Sequence, residues 1–203
     1  MFWDKISFAY DLFEKVYNKK VFSGTGKVVA QYIDSGDVVL ECACGTGEIS
    51  RFIAPECRLL AATDFSEGML RAAGRKLSVF NNVVIRKADM TALRCSDSRF
   101  DKVVAGNVIH LLDRPYEVIR ELERVCKPGG LVMIPTYINI SDDRETLVTK
   151  ILNKLGAGFK RQFSLDSYKK FFEDGGYTDV SYEVVWGRMP CAIAVLRVGS
   201  KEN

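Results

Sequence analysis

The segment VVLECACGTGEIS, Val38 to Ser50, decides how the chain is read. An apolar run ends on a carboxylate, Glu41, and opens into six small residues, Cys42 to Gly47. A buried strand, a turn almost without side chains and a helix beginning near Gly47 form the strand–turn–helix unit beside which open α/β sheets bind their ligands. Ala43, Gly45 and Gly47 alternate, so the backbone can approach a ligand closely at three levels. A dinucleotide fingerprint requires G-x-G-x-x-G. Counted from Gly45, the third glycine position is Ser50, so that fingerprint fails, and no G-x-x-x-x-G-K-[ST] phosphate loop is present.

Outward from this turn, short apolar runs alternate with segments of helical period, which predicts a parallel sheet covered by helices. The expected strands are Val38–Cys42, Arg58–Thr63, Val83–Arg86, Lys102–Ala105 and Leu131–Pro135, each short and apolar as strands buried on both faces should be. Val28, Val29, Tyr32 and Ile33 share one helical face, with Gly36 as a stop. Met69, Leu70, Ala73 and Leu77 share another after the N-cap residue Ser66. Val118, Ile119, Leu122, Val125 and Cys126 line a third helix, which starts at Pro115 and ends before KPGG (Lys127–Gly130). Thr136 to Phe163 reads as an inserted helix with loops, and SLDSYKKFFEDGGY as one more helix. Two strands then join around Gly187–Pro190 in an antiparallel hairpin. Five parallel strands plus this hairpin make a seven-stranded Rossmann-like α/β sandwich, expected as one domain over residues 1–203.

Bulk properties narrow the function. A chain of 203 residues with 47% hydrophobic and 27% charged residues has the composition of a soluble globule. Its net charge of +3 is too mild to suggest a nucleic-acid or membrane surface. No run reaches the roughly 18 apolar residues of a membrane span, and MFWDKISFAYDLF carries charges inside its apolar pattern, unlike a signal peptide. The expected location is the cytoplasm. The six cysteines then read as thiols. Cys42 and Cys44 form C-x-C without a second ligand pair at zinc spacing, so no metal is expected.

Five motifs in order carry a family resemblance that spans nearly the whole chain. VLECACGTGE resembles motif I of class I S-adenosylmethionine-dependent methyltransferases, in particular the type 11, ubiquinone/menaquinone C-methyltransferase-like branch. AATDFSEGML resembles the acidic second-strand segment, KADMTAL the adenine-contacting segment, FDKVVAGNVIHLLDRP motif IV, and ELERVCKPGGLVMIPTY the helix and strand that follow. WDKISFAYDLF resembles the N-terminal helix of that branch, read as a lid over residues 1–21.

The resemblance implies S-adenosyl-L-methionine as cofactor and S-adenosyl-L-homocysteine as product. Glu41, a conservative departure from the commoner Asp, would face the amino-acid end together with the turn backbone at Ala43, Gly45 and Gly47. Asp64 would accept the ribose hydroxyls. Asp89 and the Met90 backbone would hold the adenine edge, with Phe65 and Met69 in apolar contact. Asn107 follows the fourth strand and joins the cofactor set, as does Tyr10, an aromatic candidate for the sulfonium alongside Tyr17.

The sole histidine, His110, sits at the substrate-facing end. It is a candidate general base if the acceptor is a hydroxyl or phenol-activated carbon, and otherwise a packing or capping residue. The (Asp/Asn)-Pro-Pro-aromatic motif of nucleic-acid amino-methyltransferases is replaced by NVIH, and no Pro-Cys nucleophile follows the fourth strand. Pro190–Cys191 falls in the hairpin, and no acidic partner joins Asn107 in a magnesium site. A small-molecule or lipid-like acceptor remains, expected between the N-terminal helix and an insertion over 136–163 bearing Tyr137, Phe159 and Phe163. The alternatives are a catalytically silent cofactor-binding domain and a nicotinamide-dependent oxidoreductase, against which the missing third glycine counts.

Overall fold

The computed structural model describes residues 18–139 and 160–199. The elements run α1 (Lys19–Ala30), β1 (Val38–Cys42), α2 (Ser50–Ile53), β2 (Leu59–Asp64), α3 (Glu67–Leu77), β3 (Val83–Lys87), β4 (Phe100–Ala105), α4 (Pro115–Val125), β5 (Cys126–Tyr137), α5 (Leu165–Asp174), β6 (Val180–Val185) and β7 (Cys191–Arg197). One seven-stranded sheet has the order β3-β2-β1-β4-β5-β7-β6. The first five strands in that order are mutually parallel, and β7 runs antiparallel to both β5 and β6. The order reverses between β1 and β4, which opens a crevice at their carboxyl ends.

Period-two alternation sends successive side chains into different cores. Leu40, Val103, Val132, Ile134, Ala192 and Ala194 join a cluster with α4 and α5. Their neighbours Val39, Val104, Met133, Ile193 and Val195 join a second cluster, built with α1, α2 and α3. The central strands therefore present apolar residues to both faces of the sheet. By contrast β3 is an edge strand with Val84 39% exposed, so the expectation of burial on both faces does not extend to it.

Helix ends follow local chemistry. Ser66 Oγ accepts from Met69 N at 3.2 Å at the start of α3, and Pro115 occupies the first turn of α4. Ser164 and Ser167 form a reciprocal cap on α5. KPGG, expected only as the stop after the third helix, is part of β5, and Cys126, expected on that helix, opens the strand. Gly129 N donates to Val198 O at 2.8 Å and Val198 N to Gly130 O at 3.0 Å, so the segment lies inside β5, with a register shift opposite Phe100 and Lys102.

The expected lid helix falls mostly on residues 1–17, outside the described residues, as do Tyr10, Tyr17 and Phe159. At the described ends of the expected insertion, Thr136 and Tyr137 belong to β5. Phe163 packs edge-on against Tyr168 (5.2 Å) and Phe171 (5.4 Å) in the core beneath α5. No helix among the described residues is long and apolar enough to cross a membrane.

Replacing a serine N-cap by alanine costs about 0.5–2 kcal/mol. Ser164→Ala also releases the Ser167 backbone N–H from its 3.1 Å bond, so urea unfolding should show a lower midpoint with an unchanged slope.

Candidate functional site

A cavity of about 310 Å³ lies at the carboxyl ends of β1 to β4, near the lower limit of the roughly 300–1,000 Å³ typical of small-molecule sites. Alternation along β1 places Glu41 on the side of Val39, where α2 begins. Its carboxyl is only 2% exposed and, among the described residues, receives one side-chain hydrogen bond, from Ser50 Oγ to Oε2 at 2.5 Å. Burial pushes the Glu41 carboxyl up to about 8. The Ser50 bond works against that rise, and the nearby Asp64 adds to it.

The small-residue turn hangs from the end of β2. Thr63 Oγ1 donates to Glu41 O at 2.9 Å, and Cys44 N donates to Thr63 O at 2.9 Å. Asp64 Oδ2 accepts from Gly45 N at 2.9 Å, while its Oδ1 accepts from Ser66 N at 2.8 Å. One carboxylate thus ties the turn to the start of α3.

The two glycines serve different ends. Gly45 (φ +55°) has open space where a side chain would stand. At Gly47 (φ +83°) a Cβ would come within 3.2 Å of Leu77 and 3.5 Å of the Ala73 backbone, so this residue lets the turn lie against α3.

Two non-glycine residues beside the cavity also have positive φ, Ala43 (51°) and Asn107 (53°), a conformation that costs L-residues roughly 1–2 kcal/mol. Asn107 is held there by its N–H donating to Pro135 O at 2.8 Å. Among the described residues, its side-chain Oδ1 and the hydroxyl of Thr25 are buried without a hydrogen-bond partner, and both residues line the cavity. The Thr25 hydroxyl nears the Cys191 thiol without reaching hydrogen-bond geometry. Each unsatisfied group of this kind costs about 1–3 kcal/mol, which points to a polar ligand as the missing partner.

At the opposite end Asp89 Oδ1 accepts from both Thr91 N (2.9 Å) and Thr91 Oγ1 (2.7 Å), closing the turn after β3. Phe65 is 50% exposed beside the buried Met69 and Met90.

The structure therefore gathers Glu41, Ala43, Gly45, Asp64, Phe65, Met69, Asp89, Met90 and Asn107 around one cavity. Gly47 stands behind the turn. His110 is not among the lining residues either. It sits buried in the wall, its carbonyl accepting from Lys160 N (3.0 Å) and Arg161 N (3.2 Å). Burial pushes its imidazole down to about 4, so it is neutral near pH 7. Burial raises the Cys42 thiol to about 12 and Cys44 well above its ordinary range, so neither forms the thiolate needed for nucleophilic chemistry.

Sequence reasoning passed over Phe22 and Thr25 on α1, and also Ser50 and Glu48. The helical spacing of Phe22 and Thr25 was available as a signal. The Ser50–Glu41 bond had none, because it depends on how α2 meets β1.

Residues 40–134 match the family model described as a methyltransferase domain. The demethylmenaquinone methyltransferase of Staphylococcus aureus (strain JH9) is 26% identical over 212 aligned positions, covering 93% of this chain and 83% of that protein. Among solved structures, a SAM-dependent methyltransferase from Aquifex aeolicus aligns with TM-score 0.69 at 19% identity, over 95% of this chain and 98% of its own. Haemonchus contortus phosphoethanolamine N-methyltransferase 2, solved with S-adenosylhomocysteine, aligns with TM-score 0.71 at 15% identity, over 97% of this chain and 58% of its own. At these identities the structural likenesses establish the fold.

Glu41 gives the apoprotein a pH signature. Between its ordinary value of 4.5 and about 8, the folded chain keeps a proton that the unfolded chain releases. Stability should therefore fall as pH rises through that window and level off above it. Urea midpoints measured from pH 5 to 9 should follow this trend, and Glu41→Gln should flatten it.

Proposed function

We propose that the chain, whose residues 40–134 match the methyltransferase-domain model, is a class I, type 11 methyltransferase that moves a methyl group from S-adenosyl-L-methionine to a small-molecule or lipid-like acceptor. The observation that supports this best is the convergence of Glu41, Asp64 and Asp89, from three adjacent strand ends, on a single cavity. The donor set suits the cofactor. Glu41 and the turn backbone take the amino-acid end, Asp64 the ribose hydroxyls, and Asp89 with the Met90 backbone the adenine edge. Phe65 and Met69 flank the ring, and Thr25 and Asn107 offer the unsatisfied polar atoms described above.

When bound, the cofactor supplies a sulfonium methyl, an electrophile that needs no further activation. The protein's task is then to orient and to exclude water, and positioning of this kind contributes about 7–11 kcal/mol in favourable cases. Phe22, Val108, Leu111 and Leu112 give the cavity an apolar side suited to an uncharged acceptor. The name of the Staphylococcus aureus relative favours a quinone-type ring. We treat residues 1–203 as one unit, with acceptor-side walls at 1–21 and 136–163. We assign the His110 imidazole to packing within the wall rather than to proton abstraction, the Lys160–Arg161 segment being held by the His110 backbone carbonyl.

Titration calorimetry should show S-adenosylhomocysteine binding and no NAD binding. Asp64→Ala, which removes the tether of Gly45, should weaken the former at least about tenfold. Incubation with labelled donor and a lipid extract should transfer label to an extractable acceptor; cofactor binding without any transfer would instead indicate a silent domain. General base catalysis is worth about 10²–10⁴-fold, so His110→Gln should lose less than tenfold in turnover if the histidine only supports the wall.

A further inference from the structure

The order of the sheet divides the cavity into two halves. Asp89, Asp64 and Glu41 stand at or just past the carboxyl ends of β3, β2 and β1, and they carry the cofactor reading. Beyond β1 come β4 and β5, and there the lining changes character. Val108, Leu111 and Leu112 follow β4, and Phe22 packs edge-on, at 5.5 Å, against Tyr137, the last residue of β5.

Two polar side chains interrupt this apolar half. Asn107 is fixed to β5 through its N–H, which donates to Pro135 O at 2.8 Å. Thr25 lies one helical turn from Phe22 on α1, 3% exposed, beside Cys191, the residue that pairs with Tyr137 across β5 and β7. The Cys191 thiol points its own hydrogen at Ala192 O (3.8 Å). Asn107 Oδ1 and Thr25 Oγ1 are thus the two orphaned oxygens on this side of the cavity among the described residues. An unpaired hydroxyl in an apolar wall destabilises the empty protein, and valine would fill the place of Thr25 in the same shape without that penalty.

An amide oxygen only accepts, so its partner must bring a hydrogen, whereas a threonine hydroxyl both donates and accepts. A hydroxyl group on the ligand suits either. We propose that Thr25 and Asn107 determine the acceptor: the β4–β5 half of the cavity takes an uncharged, mostly apolar molecule that bears a hydroxyl, and rejects its counterpart without one. The inference rests on the methyl-donor reading above and deepens it, and it moves Asn107, expected among the cofactor contacts, to the acceptor's side. Specificity follows from the same imbalance. A ligand lacking the hydroxyl seals both oxygens in unpaired, while a hydroxylated one pairs them.

Fluorescence titration of the S-adenosylhomocysteine complex tests this with 1-naphthol and 1-methylnaphthalene, a ring of the same size in which methyl replaces hydroxyl. Burial of apolar surface alone favours the methyl compound, so a preference for the naphthol reports hydrogen bonding. The wild-type complex should bind 1-naphthol at least about tenfold more tightly. Thr25→Val, and Asn107→Gly, in which glycine keeps the positive φ, should each bring that ratio toward one. Thr25→Val should also hold or raise the urea midpoint, a response that a purely structural threonine would not give. If either variant does not fold, the other and the wild-type ratio decide. A Thr25→Val protein that loses affinity for S-adenosylhomocysteine and keeps the ratio overturns the inference. Equal affinities of the wild type for the two rings, or binding of neither up to its solubility limit, overturn it as well and leave the methyl-donor reading intact. Failure of S-adenosylhomocysteine itself to bind overturns both.

Discussion

Both oxygens of Asp64 hold backbone N–H groups, Gly45 on one side and Ser66 on the other. The turn after β1 has almost no side chains with which to anchor itself, and three of its residues have positive φ. Its shape is therefore imposed from outside, by Asp64 and by the Thr63 bonds to Glu41 O and Cys44 N. The cavity owes its floor to this suspension. A residue that sequence alone reads as a ligand contact is also the structural tether of the loop it faces, so its two roles are physically coupled.

Most of the architecture was legible because the central strands are short, apolar and separated by helices with clear faces. VVLEC and CAIAVLR each send alternate residues into the two cores, and Ser66, Pro115 and Ser164 mark helix starts where the chain folds them. The strand character of KPGG was not legible for a specific reason. A Pro-Gly-Gly run has the composition of a loop, yet here Gly129 and Gly130 pair with Val198 beyond the end of β7, a partner nearly seventy residues away in sequence. Local propensity gave no hint of it.

The site was legible as a set of residues and less so as a set of relations. Glu41, Asp64 and Asp89 could be placed from strand ends, since parallel topology brings successive ends together. The burial that makes Glu41 a weak acid could not, because it follows from the seating of Ser50 and α2 over β1. Burial likewise separates His110 from the role its chemistry first suggests. A histidine at the mouth of a site invites a catalytic reading, but this one lies within the wall, out of contact with the cavity. Thr25 escaped notice because a single hydroxyl on an amphipathic helix resembles any other core-facing threonine.

The position of β7 has a consequence for biosynthesis. Cys191–Arg197 follows every other described strand in the chain, yet it lies inside the sheet between β5 and β6, nearly all of it buried. A nascent polypeptide that has emerged only as far as β6 has an open edge along β5, and β6 has no neighbour to dock on. The ribosome must deliver β7 before the sheet can seal, so the growing chain carries a sticky apolar margin until Cys191–Arg197 has emerged.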